Sequence, residues 1–364
     1  MFGDRIRQAR EFCGMTQTEL AEKSGLRQSA IAQIEAGAYA PSDAAIQAIA
    51  IPTGFEIAFF KQDKPPAEFP IGSFLYRSQA GVSAKDKARA HRTAQLMFEI
   101  AQIMRSRLQA IPVLLPRTSE PPEIAAQIAR TSLGFSPEST ISDLINAAER
   151  AGVTVLNLPT EIKGLDGFSA WVGVSHDVPI MCLVPGKQGY RQRFTVAEEI
   201  CHLIKHTPLR CTVREADEEA HRFAGELLLP EEIVRAEVVH PITLSSLLPY
   251  RAKRKVSVQF LIKRLVDLEI ISQNQYRYLM MQVSSRGWRT HEPGDENVVQ
   301  EQPKMLAKMV QVVYGNPPNF VKVKRDLCGA PVGLLRSLLG PCLPPEPTPE
   351  PQRSKVLSFY KRVS

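Results

Sequence analysis

From Asp4 to Phe60 the apolar residues recur at helical spacing in short bursts, broken by Gly14, Gly25, Gly37 and Pro41. Such a pattern allows only a cluster of four or five short helices, because glycine and proline stop each one early. Thr16 and Glu19 have capping-box spacing, which starts a helix at Gln17, and Gly25 ends it. Arg27 opens the next helix, which runs to Glu35 with Ile31 and Ile34 pointing inward. Glu35 is expected in a structural ion pair with Arg10.

Beyond this unit the character of the chain changes. Asp63 to Glu68 is polar, carries Pro65 and Pro66, and reads as the start of a linker. Helical periodicity returns over Lys85–Leu108, Pro121–Gly134 and Thr140–Gly152, where Thr140 is placed to cap. Strands are expected at Val153–Leu158, Phe168–Val174 and Pro179–Val184. Helices follow at about 192–206, at Asp217–Leu228 and through Leu244–Val283, with Ser257 as a cap. Residues 339–353 are crowded with proline and read as a disordered tail.

Composition narrows the class. No run reaches the ~20 uninterrupted apolar residues of a membrane helix, and the N-terminus lacks the layout of a signal peptide. The six cysteines are scattered without CxxC pairs, which fits reduced thiols and a cytoplasmic protein. A net charge of +7 suggests an anionic partner, yet residues 1–60 are slightly acidic. The basic excess lies in Lys85–Arg107 and Arg251–Arg264, which read first as solvated faces.

Glu198-Glu199-Ile200-Cys201-His202 differs by one residue from His-Glu-x-x-His. In that motif two imidazoles four residues apart grip Zn²⁺ from one helix face, and the Glu activates the bound water. Here Glu199 and His202 are present, and Glu198 replaces the first imidazole. Glu198 and His202 still share a face. The bland alternative is a pair of helix-surface carboxylates beside a satisfied core histidine. His206, four residues on, either pairs with His202 or packs at the helix end.

The surrounding stretches Arg193–Ala197, His202–His206 and Asp217–Pro230 resemble the metallopeptidase motif of the ImmA/IrrE family. Asp166–Trp171 and Gly72–Ser78 are similar to stretches of its regulator-fused members. Those members begin with an Xre-type helix-turn-helix, and the resemblance covers about residues 1–315. It implies DNA contact by Arg27, Gln28, Ser29 and Gln33 at the start of the second motif helix. Glutamine suits adenine edges, and Gln17 is placed to meet a phosphate. It also implies a third metal ligand at Asp217, one methylene shorter than the family's Glu. The set is then Glu198, His202 and Asp217, with Glu199 as catalytic base. The resemblance implies one divalent metal, zinc. One imidazole with two carboxylates is a harder set, so zinc is expected weakened or absent. Cys201 stands where the family usually has Gly.

The expected fold is multidomain: an all-α helix-turn-helix domain, then an α+β zincin-like domain and a helical C-terminal region. The boundaries read 1–62, linker 63–84, 85–235, 236–338, and tail 339–364. The expected function is a sequence-specific transcription regulator, homodimeric on a double-stranded DNA operator, with a degenerate peptidase-like domain. Stress responses, mobile-element control and toxin–antitoxin operons are the contexts the resemblance implies. Two alternatives are an active metallo-endopeptidase cutting a partner repressor, and a toxin or antitoxin acting by protein contact.

Overall fold

The computed structural model describes residues 2–62, 83–108, 112–161, 164–173, 175–206, 213–327 and 329–343. The expected linker up to residue 82, the Gly72–Ser78 stretch and almost all of the tail lie outside them, while Ser83 and Ala84, at the expected linker's end, cap and open the next helix.

Five helices make the N-terminal unit: α1 (Phe2–Phe12), α2 (Gln17–Ser24), α3 (Gln28–Glu35), α4 (Asp43–Thr53) and α5 (Ile57–Phe60). The expected punctuation holds. Thr16 and Glu19 form a reciprocal capping box on α2, and Gly25 ends it with a left-handed φ of 69°. Arg10 grips Glu35 through two hydrogen bonds of 2.6 and 2.9 Å.

α6 (Ala84–Ser106) follows, then α7 (Pro122–Ser132) and α8 (Leu144–Arg150). α8 starts later than expected because Asp143, not Thr140, caps it by accepting from the Asn146 N–H. Thr140 instead accepts a hydrogen bond from Arg254. Three strands, β1 (Thr154–Asn157), β2 (Gly167–Val172) and β3 (Val178–Leu183), form a sheet of order β1-β3-β2. β1 runs parallel to β3 and β2 antiparallel to it. The motif helix is α9 (Gly189–Lys205), packed on α10 (Val213–Leu228). α11 (Glu231–Glu237), α12 (Leu244–Arg254), α13 (Val258–Asp267) and α14 (Gln273–Ser285) continue the helical body, with Ser257 capping α13. After an irregular stretch come α15 (Met305–Tyr314), α16 (Phe320–Asp326) and α17 (Val332–Leu339).

The sheet lies between two cores. Leu156, Phe168, Ala170, Ile180 and Cys182 face one that also holds α1–α6 and α15–α17. Val155, Met181 and Leu183 face the other, built from α7–α14. Strand alternation thus sends neighbouring side chains into different bodies. α6 is buried on nearly every side, from Ala90 to Met104, which is the signature of a helix inside a core. Its polar residues reach the N-terminal unit: Glu99 binds Arg5 at 2.6 Å and Gln8 at 2.8 Å, and Arg92 binds Glu11 at 2.6 Å. The C-terminal helices hold the same unit through Lys324–Glu56 at 2.8 Å and a backbone bond from Glu56 to Gly329.

The two basic runs are therefore not solvated faces alone. Lys85, Arg92 and Arg107 pair with Glu19, Glu11 and Asp326. Arg251 and Arg254 are buried against Glu292, Asp295 and Glu237.

The stretch 292–304 forms a strap across the start of the motif helix. Gln192 of α9 exchanges two hydrogen bonds with the Glu301 backbone, at 2.9 and 2.8 Å. The Glu301 carboxylate pairs with the buried Arg193 and accepts from the Ile145 N–H. Gly189 lets the strap approach, since a Cβ there would collide with the Val298 carbonyl. Glu149 of α8 then caps α15 by accepting from the Lys304 and Met305 N–H groups.

Candidate functional site

α9 carries its site residues because an apolar face, from Val196 through Ile200 to Leu203, is buried in the second core. The opposite face turns to a cleft of about 350 Å³ between α9, α10 and the start of β2. Glu198, Glu199, His202 and Asp217 all line it, so the fold brings the expected residues to one place. Cys201 is buried in the core instead.

Glu198, Glu199 and His202 are already engaged with protein partners. Glu198 lies 3.0 Å from Nδ1 of His221 on α10. That nitrogen also donates to the Asp217 carbonyl at 2.9 Å, which fixes the proton on Nδ1 because a carbonyl only accepts. Burial raises the pKa of the Glu198 carboxyl, and the bond to Glu198 raises that of His221. Glu199 is buried and accepts from the Ser169 hydroxyl on β2 at 2.7 Å.

His202 and His206 do pair, with their Nδ1 atoms 2.8 Å apart. His206 also caps α9 and reaches Glu219 through Nε2 at 2.9 Å. A carboxylate accepts, so Nε2 of His206 carries a proton. In the neutral form His206 then accepts at Nδ1, and His202 keeps its lone pair on Nε2, the tautomer that suits a ligand.

His202 alone fits a zinc set. Asp217 is exposed, Glu198 is held by His221, and among the described residues no three His, Cys, Asp or Glu side chains converge to hold an ion. The residues as arranged do not make a zinc site.

His221 escaped the sequence reading. The available signal was its position four residues after Asp217, which puts both on one face of α10. That it meets Glu198 is a fact of helix packing, which spacing along one helix does not reveal.

At the other end of the molecule, Arg27, Gln28, Ser29 and Gln33 are exposed on the outer face of α3. Gln17 is half-buried, and its amide donates to Glu35 at 2.8 Å and accepts from Gln28 at 3.0 Å. A continuous chain thus runs Arg10–Glu35–Gln17–Gln28.

Residues 6–60 match a family model described as helix-turn-helix. Residues 148–266 match a peptidase-family model described as IrrE N-terminal-like domain. No curated protein matches the chain. α2 and α3 fall within the first match, and the sheet, the motif helix and α10–α12 within the second. The chain thus joins an Xre-type helix-turn-helix to an ImmA/IrrE-like, peptidase-like domain.

Proposed function

We propose that this protein is a sequence-specific transcription regulator, dimeric on its operator, whose peptidase-like domain binds a polypeptide partner with little or no cleavage. The observation that carries the reading is the contrast between the two ends. The reading face of α3 is exposed and its lead residue Gln28 is held by Gln17, while Glu198 is bonded to His221 and not free for an ion. A homodimer offsets the weak basicity of the N-terminal unit by doubling its phosphate contacts. Stress-response, mobile-element and toxin–antitoxin operons are the settings in which such a regulator would act.

The test is a titration on selected operator DNA and on random DNA. Gln28→Ala or Gln33→Ala is expected to cost ~1–3 kcal/mol on the operator and little on random DNA. Equal losses on both would overturn the assignment.

A second reading, an active endopeptidase, draws on Glu199, which lines the cleft. Cleavage of the product of a neighbouring repressor gene, abolished by Glu199→Gln, would establish it.

A further inference from the structure

The cleft is not the only depression on this face. Phe194 stands one turn before Glu198 on the same face of α9. With Arg191 it lines both the cleft and a neighbouring apolar pocket of about 250 Å³. The pocket's walls are the half-buried rings of Tyr190, Phe194 and Phe260, and its floor is the buried Leu228 and Val256. Phe194 packs edge-on against Phe260 at 5.0 Å and against His221 at 5.3 Å, so aromatic surface is continuous from pocket to cleft. Phe260 and Lys263 then pass into a broad groove of about 990 Å³, which returns to the cleft at Asp217 and His221. Together the three depressions form one trough.

Their chemistry differs in a way that assigns roles. The broad groove is lined by exposed ion pairs of both signs, Arg214–Glu218, Arg222–Glu123 and Lys263–Asp267. Exposed pairs are screened and worth little, so the groove offers room and hydration, not selectivity. The pocket offers the reverse, with apolar walls in a volume below the ~300–1,000 Å³ of a small-molecule site. It suits a single side chain.

We infer that the pocket walled by Tyr190, Phe194 and Phe260 receives one bulky apolar side chain (Leu, Met or Phe) of an extended polypeptide whose backbone passes Glu198 and His221. The inference rests on the partner-binding reading proposed above, and it names the residue class that selects the partner. Half-buried aromatic walls beside a polar cleft are what such a site requires. The pairing of an apolar anchor with a hydrated groove gives selectivity at one position and tolerance elsewhere.

The experiment uses the full-length protein and fluorescein-labelled Gly/Ser decapeptides, identical except for Leu, Phe, Ala or Asp at the centre, read by anisotropy. The Leu and Phe peptides are expected to bind about tenfold to a hundredfold tighter than the Ala and Asp peptides, the range for burying one such side chain. Val256→Phe fills the pocket and is expected to erase that preference. Phe194→Ala removes a half-exposed wall and is expected to do the same, which guards against a folding defect at buried Val256. Equal affinity for all four peptides, or a preference that survives both substitutions, overturns the pocket assignment and leaves partner binding standing. No binding of any peptide overturns both, while operator binding is scored separately on the same variants.

Discussion

At the scale of single residues, the chain Arg10–Glu35–Gln17–Gln28 changes what a mutation at Gln17 should do. A residue touching only phosphate would weaken binding to all sequences alike. Gln17 also holds the Gln28 amide, and an ordered amide loses less rotamer entropy on meeting a base. Gln17→Ala is therefore expected to lower operator affinity more than random-DNA affinity, with a smaller gap than Gln28→Ala gives. Parallel titrations of the two variants decide it. The cleft offers a second residue-scale test. Glu198→His with Asp217→Glu rebuilds two imidazoles and one carboxylate, a set that fills three positions of a tetrahedron. Purified wild type is expected to hold well under one equivalent of zinc and the double variant to approach one, by elemental analysis. Stoichiometric zinc in the wild type would show that the one-imidazole set still holds the ion.

Among the elements, the motif helix is held from both ends of the chain's second half. Its first turn lies under the strap, and its last turn is tied to α10 through His206 and Glu219. Gly189→Ala is expected to force the strap away from α9, at a cost of ~1–3 kcal/mol, the usual range for overpacking. A lowered thermal midpoint with an intact circular dichroism spectrum would support this, and an unchanged midpoint would refute it. Much at this scale was legible beforehand. The capping box at Thr16, the Gly25 stop, the three strands and the motif helix all follow from local chemistry that the residues carry with them. What stayed hidden depends on packing between distant segments. The strap has no periodicity to betray it, and the Glu198–His221 pair exists only because α9 and α10 cross there. Nor did the basic character of α6 disclose that Arg92 would turn to Glu11 and not to phosphate.

For the whole molecule, the decisive fact is that the helix-turn-helix has no core wholly its own. Ile6, Phe59 and Phe60 share one cluster with α6, with the sheet and with α15–α17. Arg5 and Glu99, both buried, lie in that seam. Glu99→Ala leaves the Arg5 guanidinium without its carboxylate, and removing one partner of a buried pair costs ~3–5 kcal/mol. DNA affinity and the thermal midpoint are expected to fall together in that variant. A variant that melts like wild type, or keeps full operator binding while melting early, would mean that the seam does not support the reading face.

That shared core has a bearing on synthesis. An N-terminal domain ordinarily folds while the rest of its chain is still on the ribosome. Here the surface that holds α5 includes Lys324 and the Gly329 carbonyl, which are made late in the described chain. A nascent chain thus leaves the exit tunnel with α6 available to it and the rest of the shared core still to be made. If the protein reads an operator as proposed, half-made copies would lack part of the core that carries the reading face and would bind it less well than the finished chain.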